Sequence, residues 1–89
     1  MTVLTLPIIN VKGLHARASA KFVETVESFD ASASVSRDGM TVSGDSIMGL
    51  LMLAASNGTQ IEVATKGEQA DELAQALEEL VKNRFGESA

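Results

Sequence analysis

One histidine stands in the 89-residue chain, in the run Gly13-Leu14-His15-Ala16-Arg17-Ala18-Ser19-Ala20, after a strand-like stretch from Val3 to Val11 and before a helix-like one. That position sets an imidazole at a helix N-terminus, with a guanidinium two residues on. Backbone N–H groups without intrahelical partners and the positive end of the helix dipole favour an anion there, and Arg17 adds a fork of donors suited to phosphate oxygens. An imidazole is mostly unprotonated at neutral pH and has a free lone pair able to attack phosphorus. In-line phosphoryl transfer asks for positioning and charge stabilisation more than for covalent help. The residue types and their spacing therefore suggest His15 as nucleophile, with Arg17 and the N–H groups of Ala16, Arg17 and Ala18 around the phosphate. Which ring nitrogen attacks is left open at this level.

A lone histidine is more often a plain surface or core residue than a nucleophile, and charge distribution weighs against that reading here. Residues 1 to 23 hold Lys12, Arg17 and Lys21 and no acid, although twelve acids against seven bases leave the chain at a net charge of -5. The locally basic stretch of an acidic chain surrounds its only histidine.

A second constellation is Asp45-Ser46-Ile47-Met48-Gly49-Leu50. Ser46 or Asp45 is expected to cap a short helix over 46 to 53. A phosphate on Ser46 would be favoured by the helix dipole, while its charge of about -2 would repel an incoming phosphodonor. So short a helix cannot bury its whole circumference. Leu50 and Leu53 form one stripe and Ile47 and Leu51 another, so one stripe is expected in the core and the other, with Met48, either under the loop from 54 to 60 or in an exposed apolar docking patch next to His15. Methionine suits a surface that meets several partners.

Gly-Leu-His-Ala-Arg at 13 to 17, with Asp-Ser-Ile-Met-Gly-Leu at 45 to 50, resembles the HPr family, the histidine phosphocarrier proteins of the phosphoenolpyruvate-dependent phosphotransferase system. Length, element order and both motifs match over essentially the whole chain. The resemblance implies phosphate on Nδ1 of His15, taken from an upstream enzyme I-type protein and passed to a downstream enzyme II A-type protein. It further implies, in one branch, regulatory phosphorylation of Ser46 by an HPr kinase/phosphorylase. Ala18 departs from the pattern, which has proline after the arginine; the difference bears on the rigidity of the first helical turn. Both a sugar permease component and a nitrogen-related regulatory protein fit as acceptors.

Composition narrows the alternatives. Eighty-nine residues make one small domain, 1–89, with a core that must be aliphatic because there are three Phe, no Trp and no Tyr. The absence of cysteine removes disulfides and thiol catalysis, and one histidine among scattered carboxylates argues against a metal site. No cofactor is expected. A sequence pI near 4.6 disfavours nucleic acid, and no apolar run approaches membrane-spanning length, so the chain reads as a cytoplasmic monomer. An enzyme using His15 as general base lacks a second titratable group at a motif position. A non-transferring docking regulator of the same fold is the remaining alternative.

The elements follow from period. Leu4, Leu6 and Ile8 alternate as a strand buried on one face, with Pro7 implying an edge or bulge; Ala18, Phe22, Val26 and Phe29 form a helical stripe from Ala16 to about Glu27. Residues 32 to 43 read as a hairpin about Arg37-Asp38-Gly39, and 60 to 66 as a one-sided strand. Ala70, Leu73, Ala74, Leu77, Leu80 and Val81 trace a long amphipathic helix closed by Arg84, Phe85 and Gly86. The order β-α-β-β-α-β-α predicts an α/β (α+β) open-faced sandwich, a four-stranded antiparallel sheet covered on one face by three helices, with a serine-rich face left wet.

Overall fold

The computed structural model describes all 89 residues. Strand β1 (Thr2–Pro7) leads to helix α1 (Ala16–Glu27), the hairpin β2 (Ser32–Arg37) and β3 (Met40–Ser43), helix α2 (Ile47–Met52), strand β4 (Gln60–Lys66) and helix α3 (Ala70–Lys82), followed by a single turn at Arg84–Gly86. The strands form one antiparallel sheet in the order β1-β4-β2-β3, so the last strand in sequence lies between strands from the first half of the chain.

Alternation decides which face the helices cover. Leu6 and Ile61 are partners across β1 and β4, and Val63 faces Leu4 on one side and Val35 on the other. These residues join Phe22, Val26, Leu73, Leu77 and Val81 in one aliphatic core. Thr65 is the polar member of the covered face, and it is buried without penalty because its hydroxyl donates to the Ala70 carbonyl at 2.8 Å. On the opposite face Thr5, Glu62, Ser36 and Thr41 form a row across the four strands, with the Ser36 and Thr41 hydroxyls 2.9 Å apart. That face meets water, as the serine alternation predicts.

Pro7 closes β1 on the sheet edge, where a missing N–H is tolerated. The strand ends there rather than running to Val11. Asp38 and Gly39, with φ of 51° and 81°, make the two-residue hairpin turn whose twist matches the flanking strands.

The loop from Ile8 to Leu14 is held by a second loop, residues 54 to 59. Ile8 N–H donates to the Thr59 carbonyl and Leu14 N–H to the Ala55 carbonyl, both at 2.8 Å, while the Asn57 amide donates to the carbonyls of Ile9 and Asn10 at 3.1 and 3.2 Å. Gly13 sits at the crossing with φ of 69°, and a Cβ there would stand 2.7 Å from the Ala55 oxygen and 2.9 Å from the Ser56 Cα. Only glycine allows both the left-handed turn and that approach. The entrance to α1 is therefore fixed from outside the helix.

Candidate functional site

His15 is the N-cap of α1, with extended backbone angles of φ -85° and ψ -176°, and its own carbonyl takes the first intrahelical bond, from Ser19 N–H at 2.8 Å. The Nδ1 atom accepts the Arg17 N–H at 3.2 Å. A neutral imidazole that accepts at Nδ1 carries its proton on Nε2, and Nε2 is paired with a carboxylate oxygen of Glu87. The ring is thus a caged base. Nδ1 has the lone pair and points at the helix N-terminus, where the Ala16 and Ala18 N–H groups have no partner in the chain.

Glu87 lies 72 residues from His15 in sequence. Its second oxygen takes the Asn10 amide at 3.1 Å, and the same Asn10 nitrogen donates to the Gly13 carbonyl at 2.8 Å. The hydrogen bond from His15, then that from Asn10, hold the Glu87 carboxyl below its ordinary range against the opposing effect of burial, helped by the nearby Lys12 charge. The His15 side chain is 27% exposed and that of Glu87 16%, so the pair is shielded but reachable. Beside it lies a hollow of about 380 Å³ bordered by Lys12, Arg17, Lys21 and Glu87. Arg17 is exposed, makes no ion pair and borders this hollow.

The second motif is built as a cap. Ser46 Oγ accepts the Gly49 N–H at 3.0 Å. Asp45 does not share that role: it accepts the Ser43 hydroxyl at 2.5 Å, because its side chain lies one residue before the helix entrance. In α2 Leu50 is fully buried, and Leu53 just beyond is nearly so, whereas Ile47, Met48 and Met52 are 40%, 69% and 64% exposed. Leu51, which shares the Ile47 stripe, is half-buried. Helices α1 and α2 pack on one another.

Comparison with known proteins agrees with this geometry. The family model described as the phosphorylation site of the phosphotransferase-system HPr component matches residues 4–83. Phosphocarrier protein HPr of Pseudomonas aeruginosa is 48% identical over 98% of both chains, and that of Xylella fastidiosa 48% over 92% of both. The crystal structure of an HPr from Thermoanaerobacter tengcongensis, 36% identical, superposes over 100% of both chains with a TM-score of 0.95. The chain belongs to the HPr family, the phosphocarrier proteins of the phosphotransferase system.

Within this HPr-family chain, reading the sequence missed Glu87, Asn10 and the tail contacts altogether. Gly86 marks the end of a helix, but an acid after it in an acidic chain gives no sign of a contact so far back in the sequence. Asn10 is fully buried, and its position three residues before a left-handed glycine was the one local hint of an ordered turn.

Proposed function

We propose that this chain carries a phosphoryl group on Nδ1 of His15, received from an enzyme I-type protein that uses phosphoenolpyruvate and handed to an enzyme II A-type protein. The observation that carries this reading is the orientation of the ring, with Nδ1 turned to the N-terminus of α1 and Nε2 occupied by Glu87. As the N–P bond forms, Arg17 N–H leaves Nδ1, and with the N–H group of Ala16 it faces the phosphate oxygens. The Arg17 guanidinium supplies the mobile part of the cradle. The chain is thus a substrate and donor of phosphotransferases rather than an enzyme, acting in the cytoplasm as a monomer. A relative from Thermoanaerobacter tengcongensis, 37% identical, is described as a dimer, so light scattering at working concentration tests this point.

Ile47, Met48 and Leu51 form the apolar docking patch for both partners, and Ser46 is the regulatory phosphorylation site of an HPr kinase/phosphorylase. A phosphate there adds negative charge where an anionic phosphodonor must approach, and Ser46→Asp is expected to slow uptake on His15 with little change in melting temperature.

The test of the carrier reading is mass spectrometry at neutral and acid pH after incubation with phosphoenolpyruvate and an enzyme I-type protein. An acid-labile phosphate on His15 that is absent from His15→Ala supports it. Full incorporation in His15→Ala overturns it, and no phosphate in either protein points to a docking regulator.

A further inference from the structure

We propose that Glu87 is a positioning residue for phosphoryl transfer, whose carboxylate keeps the proton on Nε2 of His15 in the phosphorylated as well as the free protein. The proposal rests on His15 being the phosphoryl acceptor.

The tail that delivers Glu87 is built at a conformational cost. Arg84 and Phe85 have left-handed φ values of 53° and 55°, followed by Gly86 at 79°. Two successive non-glycine residues in that region are disfavoured unless their surroundings enforce them. Here the surroundings do so. Phe85 is fully buried in the core, and Lys21 Nζ donates to its carbonyl at 2.6 Å. Val11 N–H donates to the Ala89 main-chain oxygen at 3.2 Å beyond it. Between these anchors both Glu87 oxygens are assigned, one to His15 and one to the buried Asn10 amide. A tail serving only to cover the core needs Phe85 alone; this one aims a carboxylate at one ring nitrogen.

The chemistry gives the contact its consequence. When the Nδ1 lone pair forms the N–P bond, the bond from phosphorus to the donor breaks and its electron pair leaves with the donor. The ring then holds the phosphoryl group on Nδ1 and a proton on Nε2, so it is cationic and faces the Glu87 carboxylate. On onward transfer the N–P pair returns to Nδ1, and the ring departs as neutral imidazole with its Nε2 proton in place. Without that proton it would depart as an imidazolate anion, a far poorer leaving group. The carboxylate therefore extends to higher pH the range over which the phosphoryl group remains transferable. The basic side chains bordering the same hollow, Lys12, Arg17 and Lys21, oppose a ring cation, the main-chain carboxylate of Ala89 on the same border favours one, and neither α2 nor the loop from 53 to 59 carries an ionisable residue. Glu87 is the acidic side chain in contact with the ring itself.

Two measurements test this. In the unphosphorylated protein, 15N NMR is expected to show a solvent-protected Nε2–H on His15 that is lost in Glu87→Ala. The protein is then phosphorylated with phosphoramidate, a small donor that needs no partner, and phosphate release is followed against pH. Glu87→Gln is expected to move the inflection down by about one pH unit, a tenfold change in the proton dissociation constant. Glu87→Asp, which keeps the charge on a shorter arm, should recover part of that shift, and Glu72→Gln on the exposed face of α3 should match the wild type. Normal uptake with an unmoved inflection in a folded Glu87→Gln overturns the proposal alone. A wild type that takes no phosphate on His15 overturns the carrier reading and this proposal with it.

Discussion

Sequence alone leaves the two nitrogens of His15 equivalent, and two contacts separate them: Arg17 N–H on Nδ1 and Glu87 on Nε2. Each has a measurable consequence. Because the Glu87 carboxyl titrates below its ordinary range when folded, the pair contributes stability that is present above the unfolded value and is lost as pH falls through the folded one. Glu87→Gln is expected to flatten the acid limb of a stability-against-pH curve while leaving the limb above neutrality unchanged, as read by chemical denaturation. At Arg17 the proposed phosphate contact calls for a planar fork rather than charge alone. Arg17→Lys is expected to fold normally and recover only part of the phosphotransfer lost in Arg17→Ala, because an ammonium cannot bind two phosphate oxygens in parallel. Equal transfer rates in all three proteins would reduce Arg17 to surface charge.

At the scale of elements, the period of apolar residues predicts α1, β4 and the β2–β3 hairpin with almost their observed limits, because each buries one face against the core. Signals that depend on distant contacts do not show in this way. The end of β1, the tail turn and the clamp between the loops at 8–14 and 54–59 are tertiary facts, and only Gly13 hints at the last of them. Gly13→Ala combines a left-handed β-carbon with backbone atoms at 2.7 and 2.9 Å, so a loss of about 2 to 3 kcal/mol is expected by denaturation. The transfer rate should fall with it, since the loop it distorts carries His15. Ala18 is subject to opposing effects. Its N–H makes no bond in the chain, so proline would stabilise by roughly 0.4 to 1 kcal/mol through the unfolded state. Its side chain is fully buried, however, and extra ring carbons there cost about 1 to 3 kcal/mol. Calorimetry on Ala18→Pro is expected to give a small net loss with transfer intact; a loss of transfer at unchanged stability would mean that the Ala18 N–H binds the phosphate.

For the molecule as a whole, α2 divides its apolar residues between the core and the surface, and the docking role proposed for the exposed ones is testable with a pair of substitutions. Ile47→Lys is expected to leave the melting temperature nearly unchanged while weakening partner binding in titration calorimetry, because the side chain is 40% exposed. Leu50→Ala, at a site with no exposure, should cost about 2 to 5 kcal/mol and alter binding little in the fraction that folds. Reversed results would put the Ile47 stripe in the core.

The strand order has a bearing on how the molecule is made. Because β4 separates β1 from β2, the first strand to leave the ribosome finds no sheet neighbour until residues 60 to 66 have followed it. Until then the loop carrying His15 is anchored at neither side, for its clamp at 54 to 59 is synthesised only just before β4. Loop closure over that span must precede the contacts that reward it, so folding of the sheet is expected to be slow for so small a chain. The proposed phosphoryl site is thus complete only after the last strand has paired and the tail carrying Glu87 has docked, and a nascent chain offers no caged imidazole before the domain as a whole has folded.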